Sequence, residues 1–447
     1  MLRFTRIARL TGLLVLLLGM MPIVLAQDNT SLNVMGFVVT LEEQGTPLDK
    51  AYKMFISDFQ DAHPGVTINA LETPPDFDTQ LLVDLASGTA PDVWNQDGST
   101  LARLVDSGNV LDMKECQTLV PDFNFDRFFP STLAIHQRTA EGPVYGVPND
   151  FTPMVIYYNT DSFKKADVPL PKDGWTWDEF VNTAQKLTLD TSGRNSLDPD
   201  FDASNVAQWG FRVRQFSFEW IYRVWENGGD VLSPDGTTAT GYLDSAETIA
   251  AIKWLRDLVT VQKVAPPPNT LAEMLQSASF LDKFLAGDVA MFDRGHWELV
   301  GLESNALYKP GLFGVVGQPV AKNNATVLYE SGFVIRADIP DEKKKAACEF
   351  VAAATDRTYQ DTKALTGIAI SANQEAAQAM AAGTNSPIEK TFVDNVQYGR
   401  PPYGSVYKTW PDIEASLDSM MERILAGGTV EDEVKSTVDD INRTLSQ

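Results

Sequence analysis

Four consecutive residues, Trp94-Asn95-Gln96-Asp97, combine side chains that suit the binding of a sugar ring. An indole can stack on the apolar C–H face of such a ring, while two amides and a carboxylate bind its hydroxyl rim. Gly88 is expected to close the preceding helix, and Pro91 turns the chain into a short buried strand. In an open α/β sheet, ligands bind beyond the carboxyl ends of the strands. The alternative is that Trp94 belongs to the core and the amides merely begin a loop.

A second segment repeats this arrangement of helix, glycine, strand and tryptophan. The pattern predicts a helix that ends at Gly287 and a short strand over 288–292, after which the chain reads Arg294-Gly295-His296-Trp297. The repeat favours a site with two walls, each of which carries a tryptophan beside polar groups. Trp297, like Trp94, has a role in the core as its alternative.

Composition limits the classes of partner. The 447 residues exceed one ordinary core, so two domains are expected. The contents of 44% hydrophobic and 21% charged residues are typical of a soluble globular protein. A net charge of −24 excludes nucleic acid and anionic membrane surfaces as partners. It also disfavours a strongly anionic ligand unless a local basic pocket exists.

Cysteine and histidine usage predicts neither a metal site nor a cofactor, since two Cys and three His show no metal-binding spacing. The acidic loop at 198–202 has a faint calcium-like pattern. Its sixth and twelfth positions are Ala203 and Trp209, where a calcium loop needs Gly and Glu, so we interpret it as a solvated loop. Any disulfide would join Cys116 to Cys348, and two isolated buried thiols are an equal alternative.

Residues 1–26 have the features of a secretory signal peptide. A basic start precedes the apolar run Leu13–Leu18, and cleavage is expected before Gln27. The run is short for a membrane span and Pro22 follows it, which disfavours a membrane anchor. No cysteine lies near the cleavage site, so a lipid anchor is not expected. The sequence therefore predicts a periplasmic or otherwise extracytoplasmic protein, secreted across the inner membrane.

Strands and helices alternate after the signal peptide. This order predicts a parallel sheet covered by helices on both faces. The expected strands cover 31–38, 66–70 and 92–94, and the expected helices cover 48–59, 77–87 and 101–105. Further along, a strand is expected over 154–159, and capping boxes are expected at Thr176 with Glu179 and at Asp244 with Glu247.

The order and spacing of several motifs carry a resemblance to a known family. The chain reads FISDFQDAHPGVTI, LLVDLASGTAPDVW, YGVPND, IYYNTDSF, GWTWDEFVNTAQKLT, FLAGDVAMFDRGHW, ESGFVI and KKKAACEFV. In this it resembles the family 1 extracellular solute-binding proteins, the carbohydrate receptors of bacterial ABC importers that include maltose-binding proteins. The resemblance covers essentially the whole chain after residue 26, and it is more specific for the family than for the ligand.

The resemblance implies an α/β, two-lobed fold of the periplasmic binding protein type II, with a ligand cleft between hinge-connected lobes. Hinge crossings are expected near Val147–Asn149, near Ser331–Phe333 and after the helix at Gln374–Ala382. The N-terminal lobe would hold residues 27–147 and 333–385. The C-terminal lobe would hold residues 148–332 and 386–447. Closure of the lobes would trap the ligand.

The resemblance also indicates residues that contact the ligand. Trp94 would stack on it, Asp97 would bind its hydroxyls, and Trp297 would supply the plate of the second lobe. The remaining expected site residues are Asp150 and Arg294 at the cleft, Tyr403 and Trp410 as looser matches, and Glu43 in the loop at 40–44.

The function implied is that of the extracytoplasmic binding component of an ABC importer. It would be a monomer without catalytic activity that binds a mono- or oligosaccharide and delivers it to the membrane permease. The few charged residues at alignable cleft positions disfavour a strongly charged ligand. One alternative is a non-sugar solute, namely a glycerol phosphodiester, a polyamine or a peptide. The other is a secreted glycoside hydrolase, in which Asp97 and Asp150 would form the catalytic pair.

Overall fold

The computed structural model describes residues 29–40, 43–139, 141–384 and 386–446. The predicted signal peptide lies outside the described residues. The strands are β1 Thr30–Met35, β2 Val66–Leu71, β3 Val93–Asp97, β4 Val147–Pro153, β5 Val155–Asn159, β6 Leu189–Asp190, β7 Val206–Gln208, β8 Met291–Arg294, β9 Phe313–Val316, β10 Thr326–Ile335, β11 Ile370–Ser371 and β12 Gly399–Arg400.

The helices alternate with these strands. They are α1 Pro47–Ala62, α2 Phe77–Ser87, α3 Leu101–Asp106, α4 Lys114–Leu119, α5 Pro130–Leu133, α6 Thr160–Lys165, α7 Trp177–Leu187, α8 Ile221–Glu226, α9 Ala246–Thr260, α10 Pro268–Met274, α11 Phe280–Ala286, α12 Glu298–Ser304, α13 Asp341–Ala354, α14 Arg357–Ala364, α15 Gln374–Thr384, α16 Pro387–Asn395, α17 Trp410–Leu425 and α18 Val430–Leu445.

The larger sheet is mixed, not wholly parallel. Its strands lie in the order β11-β4-β10-β3-β1-β2, and β12 also pairs with β10. Strands β2, β1 and β3 are parallel as predicted, but β10 inserts antiparallel between β3 and β4. The prediction of a parallel sheet was wrong here because β10 comes from residues 326–335, far from the alternating N-terminal units.

A second sheet, with the strand order β8-β5-β9, is antiparallel. The chain passes into it directly, since β4 ends at Pro153 and β5 begins at Val155. The two predicted hinge crossings at 147–149 and 331–333 fall on β4 and β10. These segments are paired there, with Gly332 opposite Pro148 and Phe333 opposite Val147. The boundaries of the lobes stay a prediction.

Short sequence motifs mark the ends of several helices. Gly88 and Gly287 close α2 and α11 in the left-handed conformation, with φ of 76° and 85°, as predicted. The capping box of Thr176 is present. The predicted cap at Asp244 was wrong, because the hydroxyl of Ser245 accepts the Thr248 amide and caps α9 instead.

The cores lie beneath the two sheets. Aromatic rings pack under the first, where Phe37 lies 5.4 Å from Phe333 and 5.2 Å from Phe350 between ring centroids. Cys116 of α4 and Cys348 of α13 form a disulfide, which decides against two free thiols. Among the described residues, no helix is both long enough and apolar enough to cross a membrane.

Candidate functional site

A cavity of about 390 Å³ is lined by residues of β3, β4, β10, α8 and α17 and by residues of the turns next to them. Its aromatic and carboxylate groups come from segments far apart in the sequence. The lining residues are Asp97, Ser99, Asp150, Thr152, Ser217, Phe218, Ile221, Trp225, Trp297, Val327, Tyr329, Glu330, Ser331, Pro402, Tyr403, Trp410 and Glu414. Five of the eight residues predicted from the sequence are among them.

Asp97 ends β3 and begins the short turn that follows. Its Oδ1 accepts hydrogen bonds from the amide and the hydroxyl of Ser99, at 2.8 and 2.7 Å. The cavity walls withhold water from this carboxyl and raise its pKa, while the bonds from Ser99 oppose the rise. Asp97 remains accessible from the cavity. Its Oδ2 receives no hydrogen bond from the described residues and can accept one from a ligand.

One wall of the cavity is aromatic. Trp410 begins α17 and stacks on Tyr403, with ring centroids 4.5 Å apart and planes inclined by 17°. The indole of Trp225 donates a hydrogen bond to the Tyr403 hydroxyl at 2.9 Å, and that hydroxyl donates to Asp230. Burial and the charge of Asp230 raise the pKa of Tyr403, so the phenol stays protonated. These fixed rings form a rigid apolar surface.

Trp297 is the exposed ring of the site. It lies at the start of α12 with 40% of its surface accessible, and it meets the Tyr329 ring edge-on at 6.1 Å between centroids. The Tyr329 hydroxyl donates to the carbonyl of Phe218 at 3.4 Å. A large apolar ring left accessible beside a cavity is a surface that a ligand can cover.

Asp150 lines the cavity, but both of its oxygens are engaged. Oδ1 accepts from the amide and the hydroxyl of Ser331, at 3.1 and 2.9 Å. Oδ2 accepts from Lys363 at 2.8 Å and from Asn149 at 3.2 Å. The carboxylate therefore ties β4 to β10 and α14, which limits what it can offer a ligand.

Two further carboxyl groups near the cavity were missed by sequence reasoning. The side chain of Glu330 on β10 is fully buried beside His136, with Oε1 2.9 Å from Nε2, and burial raises its pKa to about 7. Glu414 lies one turn after Trp410 on α17 and accepts from the Ser217 hydroxyl at 3.3 Å. Burial and the charges of Asp418 and Asp97 raise the pKa of Glu414. The spacing from Trp410 was a usable signal for Glu414.

Trp94 does not line the cavity, which corrects the prediction that it stacks on a ligand. It is 0% exposed, packs among apolar side chains such as Leu81 and Leu104, and donates from Nε1 to Gln96 at 2.9 Å. The reason is register. Successive side chains of a strand point to opposite faces, and β3 runs through Asp97, so Trp94 and Asp97 lie on opposite faces.

Arg294 and Glu43 also lie outside the cavity. Arg294 forms ion pairs with Glu219 and with Glu298, and it lines a smaller pocket next to α11. Glu43 accepts from the amide and hydroxyl of Thr40 and lines a groove formed with Tyr52. The structure does not bring these two side chains to the cavity, and their contact with a ligand stays a prediction.

The charged groups at the cavity are acidic. Asp97, Asp150 and Glu414 present carboxyl groups to it, and neither lysine nor arginine is among its lining residues. No cluster of His, Cys, Asp or Glu in the described ranges is arranged to hold a metal ion. The arrangement suits a neutral or cationic organic ligand with hydroxyl or amine donors.

Comparisons with known proteins agree on the fold. An ABC substrate-binding protein of Listeria monocytogenes in complex with cycloalternan is 26% identical, with a TM-score of 0.74 over 94% of this chain and 100% of that chain. UgpB of Mycobacterium tuberculosis in complex with glycerophosphocholine is 18% identical, with a TM-score of 0.73 over 93% and 98%. The second likeness shows the fold alone.

The relatives that match by sequence cover a smaller part of the chain than the solved structures do. A binding protein of Brucella abortus is 26% identical over 197 residues, which are 42% of this chain and 43% of that protein. The matched region thus spans less than half the length of this curated relative. The family model for bacterial extracellular solute-binding proteins matches residues 55–391. With the two-lobed α/β fold of its structural neighbours, the chain belongs to the bacterial extracellular solute-binding protein family.

Proposed function

We propose that this protein is the extracytoplasmic binding component of an ABC importer, that it binds a mono- or oligosaccharide and that it delivers the sugar to a membrane permease. One observation carries the proposal. The cavity combines an accessible tryptophan, Trp297, with the carboxyl groups of Asp97 and Glu414. A sugar ring requires this combination of an aromatic ring, which stacks on its C–H face, and hydrogen-bond acceptors for its hydroxyl groups.

The proposed binding involves no covalent reaction. The ring of Trp297 covers the C–H face of the sugar, which contributes roughly 25 cal/mol for each Å² of apolar surface removed from water. Asp97 and Glu414 accept hydrogen bonds from hydroxyls. Because each side of the cavity supplies part of the contacts, the ligand stabilises the closed arrangement of the lobes. The volume of about 390 Å³ suits a small saccharide.

The glycerol phosphodiester and the glycoside hydrolase have less support. A glycerol phosphodiester would place a phosphate among the carboxyl groups of Asp97, Asp150 and Glu414, with no lining lysine or arginine. A glycoside hydrolase that used Asp97 and Asp150 as its catalytic pair would need both carboxyl groups to be available. Asp150 does not qualify, since Lys363, Ser331 and Asn149 already bind its oxygens. We propose a protein without catalytic activity.

A thermal-shift screen tests the ligand class. Sugars, polyamines, short peptides and glycerol phosphodiesters are each added to the protein, and the melting temperature is measured. A ligand that binds only the folded state raises it. We expect shifts from one group of related saccharides. Shifts from glycerol phosphodiesters, polyamines or peptides, without any from sugars, would overturn the proposal.

Turnover is checked on the sugar that binds. The complex is incubated and the saccharide is analysed by chromatography, where we expect its length to be unchanged. Sustained cleavage that disappears in Asp97→Asn would make the protein a hydrolase.

A further inference from the structure

Two of the carboxyl groups in the cavity have no cationic partner. Asp150 is paired with Lys363 at 2.8 Å, and Glu330 lies against His136. Asp97 and Glu414, by contrast, accept only neutral donors from the described residues. Two negative charges therefore face the cavity without compensation.

These two carboxyl groups come from separate elements that meet at the cavity. Asp97 lies at the end of β3 in the larger sheet, and Glu414 lies on α17. The turn after Asp97 packs against the turn before α17, where a Cβ at Gly404 would overlap the carbonyl oxygen of Ser99, and the charge of Asp97 is one of the causes that raise the pKa of Glu414. A group bound between them would feel both charges.

Glu330 does not add to this charge. Its side chain is fully buried against His136, with Oε1 2.9 Å from Nε2. Along β10 it alternates with Tyr329 and Ser331, which line the cavity, so its carboxyl group lies on the opposite face of the strand.

The aromatic surface also suits a cation. Trp297 and Tyr329 meet at the cavity, and the face of an aromatic ring attracts an ammonium group. Arg400, which packs over Trp225 at 4.2 Å, is bound to Asp230 and does not line the cavity. The positive charge that would balance Asp97 and Glu414 can therefore come from a ligand.

We propose that the ligand is an amino sugar, whose protonated amine lies between Asp97 and Glu414. This inference rests on the proposed function. A neutral sugar would leave both carboxylates desolvated and uncompensated when the cleft closes, which is costly. An ammonium group removes that penalty and donates charge-assisted hydrogen bonds to both carboxylates. The sequence-based expectation of a ligand without strong charge did not include Glu414.

Matched sugars test this proposal by calorimetry. The sets are glucose, glucosamine and N-acetylglucosamine, the corresponding galactose set, and cellobiose with the chitosan disaccharide and its N-acetylated form. The measurement is made at mildly acidic pH, where the amine is protonated. In the set that binds, we expect the free amine to bind at least about tenfold more tightly than its neutral and acetylated partners. Added salt should reduce this preference.

Charge-removing variants localise the effect. Asp97→Asn and Glu414→Gln should each reduce the preference for the amine by about tenfold, with a smaller loss for the neutral sugar. Asp200→Asn removes the same charge from an exposed loop outside the cavity and should leave the preference unchanged.

Failure of this inference differs from failure of the proposed function. Equal affinity for neutral and amine-bearing sugars would overturn the amino-sugar assignment and leave sugar binding intact. A preference that survives in both charge-removing variants would also overturn it. If no sugar of any set binds, the proposed function fails and the inference fails with it.

Discussion

Two tryptophans in the same local context have opposite environments. Trp94 is 0% exposed and Trp297 is 40% exposed, although each comes after a helix that a glycine closes. Trp94 lies within its strand and faces the core. Trp297 lies three residues beyond the end of β8 and starts a helix at the cavity. The sequence predicted the same ligand-binding role for both rings. The end of the strand decides whether a ring lies within the strand or beyond it, and composition does not mark that residue.

The replacement Trp297→Ala should weaken binding of the identified sugar about ten- to a hundredfold, since burying such a side chain contributes about 1.5–3 kcal/mol. Calorimetry measures the change. The melting temperature should move little because the ring is accessible. Val300→Ala removes an exposed apolar group from the same helix and serves as the control. Unchanged affinity in Trp297→Ala would remove this ring from the site.

The raised pKa of Glu330 makes the free energy of unfolding depend on pH, and its direction sets the sign. Its pKa is raised from 4.5 to about 7 by burial, with His136, Asp150 and Asp97 as the charged neighbours. Between these values the folded protein holds a proton that the unfolded chain releases, so ionisation of Glu330 destabilises the fold as pH rises. The stabilisation from the protonated form is present below about pH 4.5 and lost towards pH 7.

Denaturant unfolding across this pH range tests the assignment. Relative to Glu330→Gln, the wild-type protein should lose free energy of unfolding as pH rises from about 4.5 to about 7. Glu375→Gln, at an exposed carboxyl group, is the control and should track the wild type. A constant difference between wild type and Glu330→Gln over the whole range would contradict the assignment.

At the scale of elements, the sequence predicted the features that neighbouring residues determine, namely the ends of helices. Gly88, Gly287 and Thr176 mark helix ends through backbone conformation and side-chain caps, which neighbouring residues determine. The position of β10 was not predictable this way. Its partners β3 and β4 come from residues 93–97 and 147–153, and no local pattern encodes that pairing. Consequently Tyr329, which β10 carries to the cavity, was missed.

The contact between two turns should control closure. Gly404 lies in the turn 403–405 and packs on the turn 98–100, where a Cβ would overlap the carbonyl oxygen of Ser99. Gly404→Ala should therefore hold the turns apart and weaken sugar binding about tenfold or more, measured by calorimetry. Gly383→Ala is the matched control, since a Cβ there meets nothing within 4 Å. Wild-type affinity in Gly404→Ala would show that this contact does not matter for binding.

At the scale of the whole molecule, stability and binding depend on separate features. The disulfide between Cys116 and Cys348 closes a loop with a sequence separation of 232 residues. It connects α4 to α13, and neither cysteine lines the cavity. The two binding walls, by contrast, are set by β3, β10, α12 and α17.

Replacing both cysteines, Cys116→Ser with Cys348→Ser, should lower the free energy of unfolding by about 2–5 kcal/mol and leave sugar affinity unchanged. Denaturant unfolding and calorimetry check the two halves of this expectation. Reduction of the wild-type protein should reproduce the loss. A large loss of affinity in a folded double variant would mean that the disulfide positions the cavity.

The most direct test of the central claim is the crystal structure of the protein with the sugar that binds most tightly. We expect the sugar in the cavity of about 390 Å³, with a ring face on Trp297 and polar groups on Asp97 and Glu414. Trp94 should remain in the core without contact to it. A sugar bound outside this cavity, or one that contacts neither Trp297 nor the two carboxyl groups, would contradict the account.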